Sequence, residues 1–272
     1  MTTSIKDAKN HFHREHTIQG DVKVVPRFYL KNLRRHRRLW IYLPPDYHSH
    51  KKHYPVLYMQ DGQNLFDHFS SYCGEWGMDK TLDHLFYQKE LPGMIVVGID
   101  NGDDYRVEEY CPWAYHHGTK KGEGAGDYYL KDLLEEVKPF IDHHFRTIPE
   151  DTGIGGSSLG GFLALYAAFR YPHIFRRVLA MSPAIWFAGD LVEFANKTVK
   201  HPWRIYMDVG TNESKNFQIR RRYREAAVKM QRTLKKMAVP SQLIIEKGAI
   251  HHESAWARRL PYALLWAYNH SL

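Results

Sequence analysis

The stretch GIGGSSLGG, residues 153–161, places five glycines within nine residues and sets two serines among them. Glycine at that density costs backbone entropy on folding, so it belongs where a chain turns sharply or another group must come close. Three uses of a glycine-rich strand-to-helix turn compete. A phosphate loop requires GxxxxGK[ST], and no lysine follows these glycines. A dinucleotide fingerprint requires GxGxxG, but Ser158 stands where the third glycine would be. The third use is a GxSxG elbow, which fits in one register only, Gly156-Ser157-Ser158-Leu159-Gly160.

An elbow accounts for the glycines. The central serine sits on a strained turn with its hydroxyl above a sheet, and small neighbours let strand and helix approach. A helix opening near Leu159 aims its amides at the place where negative charge develops. In this reading a substrate carbonyl must come close, and Ser158 attacks it. The competing reading is a packing turn in which Ser157 caps the helix.

The flanking sequence supplies the context such an elbow needs. Apolar runs at 54–62, 93–102, 151–156, 175–183, 203–210 and 241–248 read as strands. Helical spacing appears at 127–145, 159–171, 215–237 and 254–269. Alternation of this kind implies a mostly parallel α/β sheet covered on both faces, with reactive groups at the carboxyl ends of the strands. Two further strands, near 21–30 and 38–43, have no helix between them and imply an antiparallel start, giving about eight strands in all.

A serine hydroxyl needs a base, and on this arrangement the order is serine, acid, histidine. The loop after the last strand reads EKGAIHHESAW, so His251 and His252 are both candidates, and spacing alone does not choose. The acid follows the strand at 203–210. Glu213, in the loop GTNESKN, is better placed to orient a histidine than Asp208, which is still in the strand. The backbone amides of Leu159 and Gln63 are the candidate oxyanion donors, with Gly62 allowing the second loop to turn.

Composition limits the alternatives. The chain has 272 residues, 43% of them hydrophobic, enough for one large domain or two small ones. The polar segment 1–20 lacks the apolar core of a signal peptide, and no apolar run is long enough to span a bilayer, so a cytoplasmic protein without membrane partners is expected. Cys73 and Cys111 read as free thiols. The histidine-rich segments 11–16 and 48–53 show no ligand spacing and read as loop histidines, so neither metal nor cofactor is expected. The net charge of +8 is concentrated in RRHRR (34–38) and the helix 219–237. In that helix Ile219, Tyr223, Ala227, Met230, Leu234 and Met237 form the apolar stripe and the cations form a solvated face. No nucleic-acid motif accompanies them, so no nucleic-acid partner is expected.

The chain resembles the putative esterase family of α/β-hydrolases, the group of esterase D and enterochelin-esterase-like enzymes. The resemblance rests on YPVLYMQDGQNLFD (54–67), EWGMD (75–79), MIVVGIDNGDDYRVEEYCPW (94–113), IGGSSLGG (154–161), DVGTNE (208–213) and HHESAW (251–256). These stretches run in family order from about residue 22. The resemblance implies one α/β-hydrolase domain over 21–272. A family pattern of Gly248, His251, Glu253 and Trp256 selects His251 over His252. The Gly-Thr-x-acid element falls on Glu213, and the oxyanion loop on Gln63. Some members hold the acid loosely or lack it.

The segment between Pro183 and Trp203 is too short for a cap domain. The longer insertion, 101–126, reads as a lid-like loop. Trp76, Tyr110, Trp113 and Trp186 are the candidate walls of a pocket for the substrate. The expected activity is that of a serine carboxylesterase acting on small or aryl esters through an acyl-enzyme. A siderophore-ester hydrolase or an acyltransferase on the same fold is the alternative. A non-catalytic polyanion-binding protein is the reading from a different class. A homo-oligomer is compatible with the sequence.

Overall fold

A computed structural model describes residues 4–11, 15–198 and 204–269. Its strands are β1 (Lys6–Asp7), β2 (Asp21–Leu30), β3 (Arg35–Leu43), β4 (Tyr54–Gln60), β5 (Ile95–Ile99), β6 (Tyr115–His117), β7 (Lys120–Gly122), β8 (Thr147–Ser157), β9 (Phe175–Met181), β10 (Arg204–Asn212) and β11 (Ser241–Ile250). Its helices are α1 (Ala8–His11), α2 (Met78–Tyr87), α3 (Arg106–Tyr110), α4 (Gly126–Asp132), α5 (Lys138–His144), α6 (Leu159–Arg170), α7 (Leu191–Asn196), α8 (Phe217–Lys236) and α9 (Glu253–Tyr268). Trp203, the expected first residue of the β10 strand, and residues 12–14 of the first histidine-rich segment lie outside the described residues.

Nine strands form one sheet in the order β1-β2-β3-β5-β4-β8-β9-β10-β11. The first three pairings are antiparallel. From β5 onward all are parallel. This is the α/β-hydrolase arrangement that the sequence implied, with one strand more than expected. The extra strand is β1, which lies within the polar segment 1–20 and pairs Lys6 with Val24 and Asp7 with Lys23.

Side-chain alternation along the central strands divides the core in two. Tyr58, Val97, Ile154, Val178 and Met207 face the layer of α4, α6 and α8. Leu57, Met59, Val96, Leu179 and Tyr206 face α2 and α9. With both faces covered, the carboxyl ends of the parallel strands are where loops meet solvent.

The expected single helix over 127–145 is α4 and α5 joined by a π-helical turn at Leu133–Val137. The helix α2 was not anticipated, because Met78, Leu82 and Leu85 make a repeat too short to stand out. The insertion 101–126 folds as a 3₁₀ turn, α3 and the β6–β7 hairpin. No helix among the described residues is long and apolar enough to cross a membrane.

Candidate active site

Ser158 joins β8 to α6 with φ 57° and ψ −120°, a conformation that L-residues avoid. Its amide donates to the Met181 carbonyl at 2.9 Å, and its carbonyl accepts from Phe162 at 3.0 Å and Ala184 at 2.9 Å. The turn is therefore held from β9 and from its own helix. A Cβ on Gly156 would lie 2.9 Å from the Gly160 carbonyl carbon, so strand and helix meet backbone to backbone. Ser157 ends β8 and does not cap α6; the cap position is Ser158, and its hydroxyl makes no capping bond. That hydroxyl is left for another use.

His251 and Glu213 come together at the ends of β11 and β10. His251 Nδ1 lies 2.6 Å from Glu213 Oε2. The other carboxylate oxygen accepts from Ser182 Oγ at 2.6 Å and from the Gly210 amide. Burial alone would raise the Glu213 pKa, but the bonds from His251, Ser182 and Gly210 hold it below its ordinary value, so the group stays ionised. Ser182 is itself fixed by Trp256 Nε1 at 3.0 Å and by Arg259 at 3.2 Å. His252 is used differently, since its Nδ1 accepts the Ser254 amide and caps α9.

Asp208 does not reach the histidine. It is fully buried, accepts the Ser182 amide at 3.1 Å and pairs with Arg259 at 3.1 Å. Burial pushes its pKa up to about 6 in spite of Arg259. Asp208 thus supports the residue that supports Glu213.

Ser158 and His251 both line one cleft of about 350 Å³. Gln63 lines it too, in the 3₁₀ turn after β4, and Leu159 opens α6 with a first-turn amide that has no intrahelical partner. A Cβ on Gly62 would lie 2.6 Å from the Ile99 amide nitrogen, which is how that turn fits against β5.

None of the four expected pocket aromatics lines this cleft. Tyr110 is fully buried, and its hydroxyl accepts the Asp61 amide at 3.1 Å. Trp113 packs edge-on against Phe162, Tyr166 and Phe194. Trp76 stands behind Trp256, and Trp186 packs edge-on against Tyr223. Of the four, the two in the insertion, Tyr110 and Trp113, pack on the main core beside α4 and α6 rather than facing the cleft. What the insertion gives the cleft is polar: Asn101 and Arg106. Arg106 grips Asp61 through Nε at 2.6 Å and Nη2 at 2.7 Å, and Asn101 donates to the same carboxylate at 2.6 Å. Asn64 Oδ1 accepts the Tyr72 amide at 3.0 Å, and its Nδ2 reaches Glu253 at 3.4 Å, joining the loop after β4 to the start of α9.

Sequence reading also passed over Tyr223. It is buried, and its ring centroid lies 5.1 Å from that of His251. Burial pushes its phenol hydroxyl up to about 12, so it stays protonated at neutral pH. Among the described residues, no group of three or more His, Cys, Asp or Glu side chains is arranged to hold a metal. Cys73 is exposed and Cys111 buried, and both are free thiols.

A serine on a strained elbow, above a mostly parallel sheet and beside a histidine–glutamate pair, places the protein among the α/β-hydrolases. Residues 31–267 match the family described as Putative esterase, and the chain belongs to that family. It is a carboxylic ester hydrolase. Over 243 residues it is 28% identical to the uncharacterized protein YbbA of Bacillus subtilis, covering 86% of this chain and 93% of that one. It is 27% identical to the iron(III) enterobactin esterase of Escherichia coli O6:H1, covering 67% of this chain but only 43% of that longer protein. The BES protein from Bacillus cereus has the same fold, with a TM-score of 0.74 at 18% identity, covering 94% of this chain and all of that one.

Proposed function

We propose that the protein is a serine esterase in which Ser158 is the nucleophile, His251 the general base and Glu213 the acid that orients it. The observation that carries this is the 2.6 Å contact between His251 Nδ1 and an ionised, fully bonded Glu213, in a cleft that His251 shares with Ser158. Glu213 fixes the ring so that its second nitrogen takes the serine proton. Oγ then bonds to the ester carbon, and the amides of Leu159 and Gln63 receive the oxyanion. His251 passes the proton to the departing alcohol. Water, deprotonated by the same histidine, releases the acid.

The substrates proposed are esters with a short acyl chain or a single aryl group, because the cleft is small and, among the described residues, no cap domain stands above it. A second reading is supported by the likeness to the enterobactin esterase: a siderophore ester with its bulk left outside the cleft. Turnover of p-nitrophenyl acetate by the wild type and by Ser158→Ala tests the mechanism. Turnover lost in the variant, with an organophosphate labelling one serine, is the expected result. Equal inactivity of both proteins, with tight heparin binding, would instead favour a polyanion-binding role. Adding a catecholate triester to the panel separates the two substrate readings.

A further inference from the structure

The turn that carries Gln63 is tied to the insertion 101–126 through one strained residue. Asp61, just ahead of that turn, is buried and takes φ 57° and ψ 47°, a left-handed conformation that favours glycine. An aspartate eases such a conformation by bonding to backbone nearby, but this one makes no capping bond to its own turn. Its carboxylate is engaged elsewhere. Arg106 Nε donates to Oδ1 at 2.6 Å and Nη2 to Oδ2 at 2.7 Å, while Asn101 Nδ2 donates to Oδ1 at 2.6 Å. The Asp61 amide donates to the Tyr110 hydroxyl at 3.1 Å. Gln63 is held at both of its oxygens, the side-chain one by the Asn101 amide at 3.2 Å and the carbonyl by Ser70 Oγ at 2.7 Å. The carboxylate also stands beside the elbow: a Cβ on Gly160, one residue past Leu159, would lie 3.4 Å from Asp61 Oδ2.

We propose that Asp61 is a positioning residue, and that its clamp by Arg106 and Asn101 sets where the Gln63 amide meets the oxyanion. The proposal rests on Ser158 as nucleophile and the Gln63 amide as oxyanion donor, as proposed above. Backbone strain persists only where the surroundings over-determine it, and here the insertion supplies those surroundings. With the clamp released, Asp61 has lower-energy backbone conformations open to it, and the turn that follows moves with it. A donor serves an oxyanion only within about 2.7–3.1 Å. A misplacement of about 1 Å is enough to cost about 10²-fold in rate. A ground-state carbonyl gains far less from the amide than the oxyanion does, so the loss falls on kcat and not on KM. The insertion then serves as a buttress for one of the two oxyanion donors rather than as a lid over the cleft.

Asp61→Asn tests this, because asparagine tolerates the left-handed backbone but offers Arg106 one acceptor oxygen instead of two. The variant and the wild type are assayed on p-nitrophenyl acetate and titrated with trifluoroacetophenone. Ser158 Oγ bonds to the carbonyl carbon of that ketone, its proton passes to His251, and the former carbonyl oxygen becomes an oxyanion that mimics the transition state. The expected result is kcat lowered about 10–100-fold with KM within about twofold, and ketone affinity weakened by about the same factor as kcat. An unchanged kcat overturns the proposal. So does a raised KM at unchanged kcat, which would make the pair a substrate contact. A lowered kcat with ketone affinity unchanged overturns it too, since that is what a merely structural disturbance gives. Should Asp61→Asn melt early, Arg106→Lys keeps the charge and gives up the two-bonded grip. It is expected to show the same pattern with a smaller loss, and wild-type kcat and ketone affinity would overturn the proposal. If the wild type neither turns over the ester nor adds the ketone at Ser158, the serine mechanism itself fails, a result distinct from any change at position 61.

Discussion

Glu213 spends both oxygens, one on His251 and one on Ser182 and the Gly210 amide, while only 4% of its surface is exposed. Replacing it with glutamine keeps the shape and removes the charge that holds the imidazole in its working tautomer. Glu213→Gln is expected to lower kcat by about 10²–10⁴-fold with little change in KM, measured on p-nitrophenyl acetate. The same bonds make Glu213 a stabilising group. Its pKa in the folded chain lies below the ordinary 4.5, so its contribution is present above that value and is lost as pH falls through the lower folded value. Urea unfolding of wild type and Glu213→Gln is expected to differ by about 1–3 kcal/mol at neutral pH, with the gap closing progressively in acid below 4.5. A gap that stays constant into acid would contradict the assignment. At this scale Ser158 was the most legible residue, because a strained strand-to-helix turn demands its own glycines. His251 and His252 were indistinguishable by spacing, since one forms the acid pair and the other a helix cap, and both roles suit a loop histidine. Tyr223 was legible only as one member of the apolar stripe of α8, a place that says nothing of the packing of its ring against His251.

The junction of β8 and α6 is the element on which the cleft depends. Strand and helix approach so closely that a methyl group on Gly156 would press on the Gly160 backbone at 2.9–3.1 Å, and backbone gives way less readily than a flexible side chain. Gly156→Ala is expected to cost about 1–3 kcal/mol by urea unfolding and to slow organophosphate labelling of Ser158, because the helix must shift away from the strand that aims the serine. Stability and labelling both at wild-type values would show that the close approach is incidental. The parallel strands were legible as short apolar runs and α6, α8 and α9 as the longer segments between or after them, although α6 is buried at every position but Arg170 and has no one-sided stripe. The insertion between β5 and α4 was legible only as an excess of length. Its aromatic residues suggested a pocket wall, but Tyr110 and Trp113 pack on α4, α6 and α7 and leave the polar Asn101 and Arg106 to face the cleft. The Arg106–Asp61 pair spans 45 positions in sequence, and no local pattern announces it.

For the molecule as a whole, charge and open space point in different directions. Part of the basic character is already engaged: Arg35 and Arg37 meet Glu109, and Arg38 meets Asp100. Most of the run RRHRR therefore ties β3 to α3 and to the end of β5. The cleft that holds Ser158 and His251, at the carboxyl ends of β8 and β11, is about 350 Å³. Pockets that enclose drug-sized ligands run from about 300 to 1,000 Å³, so this one lies at the small end. A long acyl chain would leave most of its methylenes in water and gain nothing from burial, while an acetyl, butyryl or benzoyl group fits. Across a p-nitrophenyl series, kcat/KM is expected to be highest from acetyl to butyryl and at least about tenfold lower for palmitoyl, measured below micelle-forming concentrations. Rates that climb steadily to the longest chains would require an apolar channel that the described residues do not provide, and would overturn the short-ester reading while leaving the serine mechanism standing.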